Sequence, residues 1–173
     1  MKSRSRVVIT AGLLSAFAAA AVAETDSSAG PVKVVFQAPE KFTDVKERQF
    51  KTAPEKNANL SELKKWLEKR ATRQLPAGQR LEIAINDIDL AGAFEPWNAP
   101  AMQDIRIVKD MYPPRMKLHF QLFGADGSVL KEGNRDLRNL GFMMESGNIG
   151  RDALEHDKGL LEDWLKKEFP TEQ

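Results

Sequence analysis

Met116-Lys117-Leu118-His119-Phe120-Gln121-Leu122-Phe123-Gly124-Ala125-Asp126-Gly127-Ser128-Val129 is the stretch on which the fold turns. Met116, Leu118, Phe120 and Leu122 alternate with Lys117, His119 and Gln121, the period of two that marks a strand with one dry and one wet face. Ala125-Asp126-Gly127-Ser128 carries hairpin turn chemistry, because Asp and Gly tolerate the positive φ of tight turns. The chain should return as a strand from Val129 to about Arg135. A hairpin with one apolar face requires a second layer to cover it.

Upstream, Leu81, Ile83 and Ile85 alternate with Glu82, Ala84 and Asn86, and the phase then changes so that Ile88 and Leu90 are apolar. One extra residue flips the facing set, so a bulge is expected near Asn86-Asp87. Val32–Phe36 is β-branched and aromatic and reads as a strand ended by Pro39, and Ile105–Lys109 reads as another. Ala91–Gln103, with Gly92, Pro96 and Pro100, reads as loop, and Glu40–Ala58 as an irregular connection anchored by Phe42 and Phe50. Tyr112-Pro113-Pro114-Arg115 cannot be a central strand, since two prolines donate no ladder bonds.

The covering layer is two helices. Leu60, Leu63, Leu67, Ala71 and Leu75 form one stripe, with Asn59 and Glu62 spaced as a capping box and Pro76-Ala77-Gly78 as the stop. Leu154, Leu161, Trp164, Leu165 and Phe169 form the second, starting at Asp152 and ending at Pro170. Each helix has a single apolar stripe, so both should lie on one face of the sheet. Residues 32–170 are therefore expected to make one α+β domain. It is a two-layer sandwich of a mixed, mostly antiparallel sheet of about five strands, its first two strands parallel across a helical crossover.

The 173 residues hold 26 Lys and Arg against 25 Asp and Glu, which removes the basic excess expected of a nucleic-acid binder. With no cysteine there are no disulfides, thiolate metal sites or Cys nucleophiles. Residues 1–23 read as a signal peptide: Lys2, Arg4 and Arg6 precede the uncharged run Val7–Val22, and Ala21-Val22-Ala23 is an A-x-A cleavage site. The uncharged run is shorter than the 20 or so residues of a membrane span, so export with cleavage after Ala23 is expected rather than anchoring. The periplasm is the expected destination, with the cell exterior as an alternative. Residues 24–31 are small and polar and read as a flexible tail.

The stretch Asp87-Ile88-Asp89-Leu90-Ala91-Gly92-Ala93-Phe94-Glu95-Pro96-Trp97 and the stretch Asp104–Arg115 resemble the bacterial DUF3016 family. Pro39-Glu40-Lys41-Phe42-Thr43-Asp44 and Leu161-Glu162-Asp163-Trp164 share the likeness, which spans nearly the whole chain after the signal peptide. The resemblance implies an exported protein of one domain, and it supplies no catalytic residue.

Several residues carry chemistry worth weighing. Asp87, Asp89 and Glu95, with Asn86, offer oxygen ligands to a hard cation such as Ca²⁺, although the spacing lacks the Gly and terminal Glu of an EF-hand loop. Asp and Asn at strand ends also serve turns. His119 and His156 have no H-x-x-x-H pattern, and neither Ser128 nor Ser146 sits in a nucleophile motif, so both histidines read as surface residues. Lys64, Lys65, Lys69, Arg70 and Arg73 give the first helix a basic side, either solvated or facing an anionic partner. Trp97 is a loop aromatic, either a binding anchor or a lid on the sheet edge. With Tyr112, Arg115, Phe142 and Met143 it makes the candidate partner-binding surface.

The function expected from these features is that of an exported, non-catalytic binding or envelope-accessory protein that needs no cofactor. Its partner would be an envelope protein or a cell-envelope component, not nucleic acid, and after cleavage it would not be integral to the membrane. The rival is an envelope-directed hydrolase using Asp and Glu as acid and base.

Overall fold

The computed structural model describes residues 30–48, 56–95, 97, 103–144 and 152–170. The expected signal peptide, most of the N-terminal tail, Phe50, Pro96, Pro100 and Ser146 lie outside the described residues.

The main sheet has four strands, β1 (Val32–Phe36), β2 (Arg80–Asp89), β5 (Arg115–Phe123) and β6 (Val129–Arg138), in the order β1-β2-β5-β6. β1 is parallel to β2, while β2, β5 and β6 run antiparallel to one another. The β5–β6 hairpin turns at Gly127, whose φ of 80° is the conformation for which glycine is chosen. α1 (Ala58–Thr72) makes the crossover between the parallel strands, and α2 (Glu155–Glu168) follows β6.

The hydrophobic alternation does what its period requires. Val32 and Val34, Leu81, Ile83 and Ile85, and Met116, Leu118, Phe120 and Leu122 are all buried on one face. Leu60, Leu63, Leu67 and Ala71 of α1 and Leu160, Leu161, Trp164 and Leu165 of α2 complete a single core with them. Phe120, Trp164 and Phe169 meet edge to face, their centroids 5.6–5.8 Å apart, a geometry favoured by the ring quadrupoles. The two-layer α+β sandwich is therefore correct.

The strand count needs correction. Ile105–Lys109 contributes only Arg106–Ile107 (β4), which leaves the main sheet and pairs with Ala93–Phe94 (β3) in a separate two-stranded ribbon. Two-residue strands contain no alternation to read, and β3 falls in a stretch expected to be loop.

The helix starts also differ. α1 begins at Ala58, where the side chain of Asn57, not Asn59, accepts the Leu60 N–H at 3.0 Å. Asn57 is buried because its amide donates to the Val45 carbonyl at 2.7 Å, a contact set by the preceding connection. α2 begins three residues after Asp152, whose carboxylate instead accepts the Leu154 N–H at 2.9 Å in the turn before it. Arg70, expected on the basic side of α1, forks onto Glu162 of α2 and clamps the two helices together. Among the described residues no helix is long and apolar enough to cross a membrane.

Candidate functional site

The site begins with one extra residue. The register of β2 on β5 shifts between Ile85 and Asp87, leaving Asn86 unpaired, as the change of hydrophobic phase required. Without the bulge Asp87 and Asp89 would point into the core. With it, Ile88 and Leu90 fill the core and both carboxylates reach the open face of the sheet.

There they line a concavity of about 470 Å³ with Thr43, Arg115, Met116, Lys117, Asp136 and Arg138. Asp87 is fixed in place: the Thr43 backbone N–H donates to Oδ1 at 2.8 Å and the Thr43 hydroxyl to Oδ2 at 3.0 Å. The neighbouring Asp44 pairs in parallel with Asp89, donating its N–H to the Ile88 carbonyl and accepting the Leu90 N–H. Burial, and then the Asp44 carboxylate beside it, raise the Asp89 carboxyl above its ordinary value, with Arg115 opposing.

The same strand end leads into the ribbon. Arg106 organises its base: the guanidinium donates to the Asp44 carboxylate at 3.1 and 3.2 Å, to the Gly92 carbonyl at 2.8 Å and to the Lys46 carbonyl at 2.9 Å. It also lies 4.7 Å from the centre of the Phe94 ring. Gly92 is required here, because its φ is 77° and a Cβ would stand 2.7 Å from the Ile107 carbonyl oxygen. Further out, buried Glu95 accepts from Lys109 Nζ at 2.6 Å and from the Tyr112 hydroxyl at 3.2 Å. The hydrogen bond to Glu95 raises the Lys109 ammonium above its usual value. On α2, Asp157 is only 1% exposed and accepts the Ala91 N–H at 3.1 Å. Burial pushes its carboxyl up to about 7.

A ribbon held this firmly presents apolar side chains to water. Trp97 is 72% exposed, Met111 66% and Ile105 50%, and Val108 is exposed as well.

A family profile described as "Protein of unknown function (DUF3016)" matches residues 30–167. The chain belongs to the DUF3016 family. No curated protein and no solved structure matches this DUF3016 chain.

The antiparallel pairing brings the end of β2, the start of β5 and the end of β6 to one end of the sheet: Asp89 faces Arg115, and Arg115 faces Arg138. The ribbon and the connector after β6 both leave from that end, and the Asn139 N–H donates to the Pro114 carbonyl at 3.4 Å. Trp97, Arg115 and Met143 are exposed, and Tyr112 is half-buried with its hydroxyl on Glu95. Phe142 differs: it is fully buried, its ring 4.8 Å from that of His156. His156 is accordingly half-buried under Phe142, and His119, also half-buried, stands on the open face with Nδ1 3.2 Å from Asn134 Oδ1.

The oxygen ligands considered for a cation do not converge. Asp87 and Asp89 face the concavity, while Glu95 is buried in the ribbon with Lys109 and Tyr112. Among the described residues no group of three or more acidic or histidine side chains is placed to share a metal ion. Sequence reasoning missed Lys117, Asp136 and Arg138, which ordinary alternation placed on the solvent side of their strands without showing that three strands pool them.

Proposed function

We propose that this DUF3016 protein is exported to the periplasm, loses residues 1–23, and acts there by binding an envelope protein or another envelope component. The observation that carries the reading is the ribbon: Trp97, Ile105, Val108 and Met111 stand in water on a scaffold tied down by Arg106, Glu95 and Asp157. Large apolar side chains that stand in water gain most from being covered by a partner. Arg115, paired with Asp89 where β5 begins, adds a charged side chain at the same end of the sheet.

Cross-linking in intact cells followed by affinity purification and mass spectrometry tests the reading. The wild-type chain captures a specific envelope partner, and a Trp97→Ala, Met111→Ser double variant of unchanged thermal stability loses it. Equal recovery by both chains defeats the proposal. N-terminal sequencing of the periplasmic protein should begin at Glu24, and an intact Met1 would remove the export reading.

A second reading, hydrolysis by carboxylate acid and base, is favoured by one feature: Asp87 and Asp89 share a concavity, and the Asp89 carboxyl is raised. Turnover of envelope glycan by the purified chain, abolished by Asp89→Asn, would establish it.

A further inference from the structure

At one end of the open face six charged side chains stand in two cross-strand rows, and only one row alternates in sign throughout. In the first, Lys117 lies between Asp87 and Asp136, so a cation has an acid on either side. In the second, Arg115 lies between Asp89 and Arg138, so two guanidinium groups face each other across directly paired strands. Side chains so paired start from Cβ atoms about 5 Å apart, and like charges there are destabilising. The single acid of this row, Asp89, pairs with Arg115 and lies two strands away from Arg138. Neither guanidinium forms a hydrogen bond or an ion pair with a described residue, although Arg115 feels the charge of Asp89. Arg70, Arg106 and Arg135, by contrast, all engage a carboxylate.

We propose that Arg115 and Arg138 together bind one oxyanion, a phosphate or carboxylate group, of a small ligand seated in the concavity. Two planar forks converging from adjacent strands can each direct paired N–H donors at such a group, and the bound charge replaces the repulsion between them by attraction. The volume of about 470 Å³ lies within the range of small-molecule pockets. Asp89 and Asp136 are left to accept hydrogen bonds from hydroxyl or ammonium groups elsewhere on the ligand, while the Thr43 clip on Asp87 holds the far wall still. The site deepens the binding reading above, sharing Arg115 with it, but stands apart from the apolar ribbon.

The test titrates the purified chain, without residues 1–23, at constant ionic strength set by chloride. The three probes are inorganic phosphate, acetate, and phosphatidylcholine vesicles with or without phosphatidylglycerol. Arginine side-chain NMR signals and thermal stability are followed in the wild type, in Arg115→Gln and Arg138→Gln, and in Lys33→Gln as a control on the same face. Saturable binding of at least one probe is expected, weakened about tenfold or more in each arginine variant and unchanged in the control. Saturation by phosphate or acetate identifies a soluble ligand, and saturation only by phosphatidylglycerol vesicles a lipid headgroup. Without probe, each arginine variant should melt at or above the wild-type temperature, because a repulsion is gone. Absence of saturation by all three probes, equal binding by the variants, or variants that melt lower without probe would each overturn the site. Equal partner capture by the wild type and the ribbon variant, with phosphate binding lost only in the arginine variants, would defeat the partner reading and leave this one standing.

Discussion

Oδ1 of Asp157 accepts the backbone N–H of Ala91 at 3.1 Å, tying α2 to the point where β2 becomes the ribbon. An isolated carboxylate at such a buried position is expensive, and the backbone donors only partly offset the desolvation. Its carboxyl is accordingly pushed up to about 7 by burial, against the pull of the Ala91 N–H and of Arg106, with Asp89 adding to the rise.

That position makes stability depend on pH. The folded chain keeps a proton on Asp157 that the unfolded chain releases near 3.8, so the contribution is fully present below that value and is lost as pH rises towards 7. If the whole shift is expressed, the loss is on the order of 4 kcal/mol. Asp157→Asn keeps Oδ1 for Ala91 and has no charge to desolvate. Thermal melts at pH 5 and pH 8 should show a smaller fall for the variant than for the wild type.

Glu168 has the opposite sign. Its carboxylate, 8% exposed, takes two 2.7 Å bonds from Arg135 and one ion pair from Lys131 at 2.8 Å. The Arg135 hydrogen bonds hold it below the ordinary carboxyl value. The stability is present above the unfolded-state value of about 4.5 and is lost as pH falls through the lower folded one. Arg135 is one-third exposed, which discounts the pair for solvent screening. Glu168→Gln should cost roughly 1–3 kcal/mol in urea titrations at pH 7, and the difference from the wild type should shrink in acid.

Gly92→Ala should destabilise the chain by about 2 kcal/mol or more, since the positive φ costs 1–2 kcal/mol by itself and the Cβ meets the Ile107 carbonyl. Urea midpoints measure the loss, and an unchanged midpoint would mean that the ribbon does not pass this close.

Phe142 and Met144 put a buried and an exposed side chain within one short turn. Phe142→Ala should cost about 3–5 kcal/mol, as for other buried aromatics, because the ring is fully enclosed. Met144→Ser, at a side chain 89% exposed, should move stability by less than about 0.5 kcal/mol. Equal effects of the two on the melting temperature would contradict the placement.

Much of this was legible in the residues. The phase change at Asn86-Asp87 announced the bulge, and with it the direction in which Asp87 and Asp89 point. The stripes of both helices and the alternation of Met116–Leu122 marked the core, because burial repeats with the local backbone period. Glu168 and Asp157 interrupt the polar and apolar logic of α2, and no local pattern distinguishes them from solvated acids of the same helix. Phe142 was likewise indistinguishable from an exposed connector aromatic until His156 was seen against it.

The chain's own pattern determined the layer architecture, the hairpin, the bulge and which face of each strand is dry, since these follow from period and turn chemistry within a few residues. Tertiary structure alone decided that Ala93–Phe94 pairs with Arg106–Ile107, that Arg115 faces Arg138, and that Arg106 reaches Asp44. Those relations join positions 12 to 62 residues apart. Their energies depend on which charges the pairing of strands brings within reach, and a side chain carries no local mark of a neighbour that arrives from another strand.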